Sequence, residues 1–201
     1  MVVGLAVFAA SALVASRGLA PGEERVFRLV NGLPDFLYPG IWPFMQFGVF
    51  VTIPILIVVA LLMRQTRLAV AMAIGGIGVY LLARVAKGWV DRGRPAALLS
   101  DVTEGREWFA TGSLGYPSGH AAVAGALAVI LMPYLPARWR WLLLALVAIV
   151  CVGRLYVSAH LPLDLIGGAA LGIAAGCAAN LIVGVRSSRT DAPRSSARAS
   201  T

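Results

Sequence analysis

The residues with the greatest chemical reach in this chain are also its scarcest. Two His, His120 and His160, and a single Lys, Lys87, occur in 201 residues. Each lies in a short stretch where other polar groups gather. In Lys87-Gly-Trp-Val-Asp-Arg-Gly-Arg94-Pro95, Lys87 and Arg94 stand seven residues apart ahead of a helix-breaking Pro. Arg94 offers a planar fork and Lys87 a point charge, a pair able to converge on an anion; a snorkelling Lys beside loop Arg residues is the plainer account. In Tyr116-Pro117-Ser118-Gly119-His120, Ser118 is a natural N-cap and Gly119 leaves the backbone open to a ligand. A helix starting there aims free N–H groups and a positive dipole end at an anion. A capped helix start with one interfacial His is the alternative. In Arg154-Leu-Tyr-Val-Ser-Ala-His160-Leu-Pro-Leu-Asp164, Pro162 suits a first helical turn, and a turn that includes His160 makes it the i,i+4 neighbour of Asp164. A carboxylate so placed takes one imidazole N–H, fixes the tautomer and leaves the other nitrogen as a nucleophile. The alternative is a rim His held by an acid for stability.

The elements that must position these groups follow from composition. Apolar residues make up 59% and charged residues 13%, against about 45–50% and about 25% in a soluble globular chain. So small a soluble domain has too little interior for that much hydrocarbon, and disordered chains are poor in apolar residues. The expectation is an all-α, polytopic membrane helix bundle. Five apolar runs are long enough to span: Phe44–Met63, Leu68–Ala86, Gly119–Leu135, Trp139–Val157 and Leu161–Val185. A sixth, Val2–Ser16, is short and uncharged, and no basic n-region of a signal peptide precedes it, which favours a retained helix. Between the first two runs, Val26, Leu29, Val30 and Leu33 fall at helical spacing among charges, as an interfacial amphipathic helix or an ordinary loop. Tyr38 and Trp42 suit the aromatic belt.

Charge sets the orientation. The connections Arg64–Arg67 and Arg138–Arg140, with Arg186, Arg189, Arg194 and Arg198, hold eight Arg against Asp191 alone, a net of +7 of the chain's +8. By the positive-inside rule that side is cytoplasmic and carries both termini. The other side, nearly neutral, holds all three polar stretches. Ionisable groups at membrane depth are costly and default to function, so the site is expected at the outer rim. No basic stretch is interleaved with stacking aromatics, which argues against nucleic acid. Gly168, Gly172 and Gly176 leave one helix face nearly bare, read as an intramolecular packing face rather than a dimer signal. Cys151 and Cys177 fall in apolar runs at different depths and are expected to be unpaired. Residues 1–185 are expected to form one membrane-embedded domain, with 186–201 a disordered cytoplasmic tail.

The three stretches closely resemble the signature of the type 2 phosphatidic acid phosphatase superfamily, the lipid phosphate phosphatases related to vanadium haloperoxidases. Its pattern is K-x6-R-P, then P-S-G-H, then S-R-x5-H-x3-D. Lys87, Arg94 and Pro95 match the first; Pro117, Ser118, Gly119 and His120 the second; Arg154, His160 and Asp164 the third. Gly153 departs from it, standing where many members have Ser. The resemblance implies that His160 attacks phosphorus, forming a phosphohistidine that Asp164 orients. It implies that His120 protonates the leaving oxygen and then activates water. Lys87, Arg94, Arg154, the Ser118 side chain and the Gly119 N–H would hold the phosphoryl oxygens, with no metal and no cofactor.

The expected function is therefore an integral membrane phosphatase in the plasma membrane, acting on a lipid-linked phosphomonoester or diphosphate. Candidate substrates are a polyprenyl phosphate or diphosphate, phosphatidylglycerophosphate and phosphatidic acid. Trp108 and Phe109 are candidate lipid contacts. The competing reading is a non-catalytic lipid-phosphate binder or transporter using the same anion site. It is weakened by the absence of inverted repeats and by two His and an Asp that binding alone does not need. A soluble haloperoxidase is excluded by the apolar runs.

Overall fold

The computed structural model describes residues 1–99, 102 and 114–184, and among them every regular element is helical. Eight helices carry the argument: α1 (Val2–Ala15), α2 (Glu23–Asn31), α3 (Tyr38–Met45), α4 (Thr52–Leu62), α5 (Thr66–Val90), α6 (Gly119–Leu131), α7 (Arg140–Tyr156) and α8 (Pro162–Val183). Trp108, Phe109 and the tail from Arg186 onward lie outside the described residues.

Among the described residues three helices are long and apolar enough to cross a membrane: Thr66–Val90, Ala137–Tyr156 and Pro162–Val183. Two of the six expected spans are shorter helices, Val2–Ala15 and Gly119–Tyr134. At 1.5 Å per residue the first is only about 21 Å long, less than the roughly 30 Å hydrocarbon core. The expected Phe44–Met63 span is not one helix. Asp35–Gly48 and Thr52–Leu62 are bent by 68° at a short break, and counting that pair as one span brings the total to four. Pro54 supplies the reason. In a continuous helix its ring would collide with the Phe50 carbonyl; with α4 starting at Thr52, Pro54 falls in the first turn, where its missing N–H leaves no bond unmade.

The bundle is built around α8, which packs mainly against α6 and α1. The glycine stripe makes this possible. A Cβ on Gly168 or Gly172 would overlap the carbonyl oxygen of Ser118 or Ala122, and one on Gly176 would stand 2.8 Å from that of Ala126. The stripe is thus a packing face inside the chain. Ile53, Met72, Val79, Val123, Leu127 and Ile130 fill the space between α4, α5 and α6, while Leu62, Leu181 and Ile182 point outward, each more than two-thirds exposed. Helices apolar on both their inner and outer faces suit a surrounding of hydrocarbon. Gly172→Ala should destabilise the bundle by about 1–3 kcal/mol through overpacking. Gly78→Ala, whose Cβ meets nothing within 4 Å, should leave the thermal midpoint in detergent no lower than that of the wild type.

The segment read as interfacial helix or loop is helical, but its buried face is not the apolar set. Glu23 and Phe27 are buried, whereas Val26 and Leu29 are exposed. Asn31 donates to the Tyr156 carbonyl (2.9 Å), tying α2 to the end of α7. Trp42 is exposed, while Tyr38 packs inward beside Met45.

Candidate active site

Four helix ends meet where the three polar stretches lie. α5 brings Lys87 in its last turn, α6 starts at Gly119-His120, α7 ends beside Arg154, and α8 starts just after His160. All eight residues expected to carry catalysis and phosphate binding are described, and they are brought together. His160 lies in the fields of Asp164, Arg154 and Lys87, and His120 in those of Arg154, His160, Arg94 and Lys87.

The His160–Asp164 pair is built by the start of α8. Pro162 opens the helix, and Asp164 turns back to accept the Leu161 N–H at Oδ2 (2.9 Å). The same Oδ2 stands 3.4 Å from His160 Nδ1, both groups being buried. That separation is too long for a well-formed charge-assisted bond, but it defines the geometry: Nδ1 faces the carboxylate, so Nε2 is the nitrogen left for chemistry. Such bonds commonly tighten when substrate binds. Burial pushes the His160 pKa down to about 4; Asp164 opposes the shift, and Arg154 and Lys87 reinforce it. The imidazole is therefore neutral at pH 7, with a lone pair available. A depressed pKa keeps the free base as pH falls through 6.5 and loses it only near 4. The acid limb of kcat/KM due to His160, corrected for substrate ionisation, should accordingly centre near pH 4. A limb near 6.5 would mean a solvated imidazole.

Around this pair the donors converge. Ser118 caps α6, its hydroxyl accepting the Ala121 N–H (3.5 Å), and its own N–H donates to the Asp164 carbonyl (2.9 Å), joining the second and third stretches. Beyond Gly119, a Cβ would enter open space, so the first N–H groups of α6 can be approached by a ligand. Lys87 Nζ donates to the Leu114 and Gly115 carbonyls (3.1 Å each). It thereby clasps the strand-like approach to Tyr116, which also forms the isolated antiparallel bridge Gly93–Leu114. Arg154 is buried. Among the described residues, no group of three or more His, Cys, Asp or Glu is placed to share a metal ion.

The departure at Gly153 has a packing cause. A Cβ there would stand 2.6 Å from Met45 Cγ and 3.0 Å from Ile41 Cγ2; α7 lies so close to α3 that a Ser fits only if fully buried Met45 moves.

Several site-building residues escaped the sequence reading. Arg92 donates to Asp164 Oδ1 (2.9 Å) and is itself clasped by Glu23. Tyr116, fully buried, shares a hydrogen bond with Ser11 (2.9 Å) and donates to the Phe8 carbonyl (2.9 Å), anchoring the Ser118 turn to α1. The elbow between α3 and α4 sets Gly48 so close to the His120 backbone that a Cβ would stand 2.6 Å from its carbonyl oxygen. Sequence offered one local hint, the cluster of charges at Asp91, Arg92 and Arg94; the other contacts join segments distant in sequence.

Comparison with known proteins bears on this arrangement. The family model of the PAP2 superfamily matches residues 64–188, from the start of α5 past the end of α8. An undecaprenyl-diphosphatase of Sulfolobus acidocaldarius is 30% identical over 165 residues, covering 77% of this chain and 78% of its own. The fold is shared with Aquifex aeolicus LpxE (TM-score 0.69, 24% identity, 77% of this chain and 92% of that one). It is shared too with a PAP2-type phosphatidylglycerolphosphate phosphatase of Bacillus subtilis (TM-score 0.70, 19% identity, 90% and 96%). Because the matched region runs through all four helix ends that assemble the His160–Asp164 pair and its cations, the chain belongs to the PAP2 superfamily and is an enzyme of the lipid phosphatase class.

Proposed function

We propose that the protein removes a phosphate from a membrane lipid phosphate or diphosphate through a phosphohistidine at His160. The observation that carries this reading is the buried His160 imidazole with Nδ1 facing Asp164 at 3.4 Å, in the fields of Arg154 and Lys87. In the first step Nε2 bonds to phosphorus as the phosphorus–oxygen bond to the lipid, or to the phosphate left on it, breaks; His120 donates a proton to the departing oxygen. In the second, water gives a proton to His120 and attacks phosphorus; the nitrogen–phosphorus bond breaks and inorganic phosphate leaves. Lys87, Arg94, Arg154, the Ser118 hydroxyl and the Gly119 N–H hold the phosphoryl oxygens and stabilise charge in the transition state.

The substrate we assign first is a polyprenyl diphosphate, because the curated relative that matches over most of both chains is an undecaprenyl-diphosphatase. Phosphatidylglycerophosphate and phosphatidic acid follow. The six apolar segments are taken as one membrane-embedded unit. The basic junctions Arg64–Arg67 and Arg138–Arg140 lie at the helix ends away from His160, which supports a site at the outer rim with both termini in the cytoplasm.

Purified protein should release phosphate from lipids of this panel in excess EDTA, and millimolar vanadate, which adopts the five-coordinate geometry of the transition state, should inhibit. Absence of turnover on the whole panel would overturn the reading. Loss of activity in EDTA that Mg²⁺ restores would overturn its metal-independent form.

A further inference from the structure

Behind Asp164 lies a second layer of charge. The Arg92 side chain is 1% exposed, that of Glu23 5% and that of Asp164 0%. Arg92 Nη1 donates to Asp164 Oδ1 (2.9 Å) and to Glu23 Oε1 (3.3 Å), and Nη2 donates to Glu23 Oε2. Glu23 also accepts the Leu163 N–H in the first turn of α8 (2.9 Å) and the Ala20 N–H (2.9 Å). Charges buried this deeply are tolerated only when paired. Asp164 and Arg92 alone would already balance one another. The added Glu23 gives the triad a formal charge of −1, a cost that a purely structural contact would avoid.

That excess matches what the chemistry demands. Once Nε2 bonds to phosphorus while Nδ1 keeps its proton, the imidazole becomes cationic and needs a negative neighbour. If Arg92 were uncompensated, it would cancel Asp164 at the moment the charge is required. We propose that Arg92 and Glu23 are positioning residues for the transfer step: Arg92 fixes Asp164 with Oδ2 toward His160, and Glu23 neutralises Arg92 so that the carboxylate's field reaches the imidazole. This rests on the phosphohistidine reading above. The other charged or titratable groups facing His160 are Arg154 from α7, Lys87 from α5 and His120 from α6; all are unchanged in the variants below.

The test uses the full chain in detergent, with a lipid phosphate that the wild type hydrolyses and His160→Ala as blank. Glu23→Gln keeps the shape and removes the charge. Its kcat should fall about 10–100-fold, the order found when a hydrogen-bond partner behind a metal-ligating His or carboxylate is lost, with KM within about threefold, and Glu23→Asp should restore most of the loss. Arg92→Gln removes a cation near His160, so the acid limb of kcat/KM should move up from near 4 toward 6.5. A staple that merely holds α2 against α8 would shift the melting midpoint and leave both kinetic readouts in place. The proposal is overturned if Glu23→Gln retains kcat within about threefold of wild type or if the acid limb of Arg92→Gln does not move. Should Glu23→Gln not fold, Arg92→Lys decides: lowered kcat with an unmoved limb supports the proposal, and wild-type kcat overturns it. A wild type inactive on every lipid phosphate overturns the proposed function and this inference together; an active wild type with indifferent variants overturns this inference alone.

Discussion

Phosphate release by His160→Ala is expected to fall to background, a loss of about 10⁴-fold or more, the scale of removing a nucleophile. The imidazole is buried and neutral, and its Nε2 is the one nitrogen of the His160–Asp164 pair not turned toward a carboxylate. Among the described residues at the four converging helix ends, His120 lies in the fields of the cations, the Asp164 oxygens are taken by Arg92 and the Leu161 N–H, and Lys87 donates to backbone carbonyls. Lys87, Arg94 and Arg154 survive the substitution, so vanadate should still protect the variant against thermal unfolding while turnover is gone. A complementary trap is His120→Ala. On a radiolabelled diphosphate, whose departing phosphate needs little help from an acid, loss of the group that activates water should let acid-labile, alkali-stable label accumulate, and His160→Ala should accumulate none. Turnover retained by His160→Ala would remove the proposed nucleophile outright.

Asp164→Asn should cost about 10³–10⁴-fold in kcat, as loss of the carboxylate does in other His–carboxylate sites, while the protein still folds. The carboxylate accepts at both oxygens: Arg92 at Oδ1, and the Leu161 N–H at Oδ2, which also faces His160. An amide has one acceptor oxygen. Whichever way Asn turns, an NH₂ group meets either Arg92 or the Leu161 N–H and the imidazole. Turned toward Arg92 with its oxygen, it presents a donor to Nδ1 and favours the wrong tautomer, with the proton on Nε2. Folding survives because Glu23 still balances Arg92, so no buried cation is left alone. The measurement is kcat and KM alongside a melting curve; activity within tenfold of wild type would show that Nδ1 needs no carboxylate.

Much of this was legible in the chain alone, for a physical reason. Hydrocarbon content and run length act locally, so composition was enough to indicate an all-helical membrane protein, and Arg asymmetry divided its loops into two sides. The candidate site was legible because its groups fall at the ends of successive apolar runs, and successive antiparallel helices return alternate ends to one place. Ser118 caps α6 as read, whereas His160 lies just ahead of the first turn of α8 rather than within it and faces Asp164 at 3.4 Å.

What tertiary structure decided was everything that depends on how those helices pack. Pro54 was visible in sequence, yet it could be read as a kink in one span; only the bend of 68° shows that it starts a new helix, whose elbow supports His120 through Gly48. Gly153 looked like a simple departure from a pattern until Met45 was found in the space of the missing Cβ. Glu23 and Arg92 each sit among other charges, 69 residues apart, and resemble solvated loop residues. Their pairing carries no periodicity and no local signal, because it exists only where α2 and the start of α8 close over the loop after α5. Sequence thus pointed to which groups could act and to the ends of the apolar runs that carry them. The fold alone decided which buried charge balances which, since burial and pairing are properties of packed surfaces rather than of neighbours along the chain.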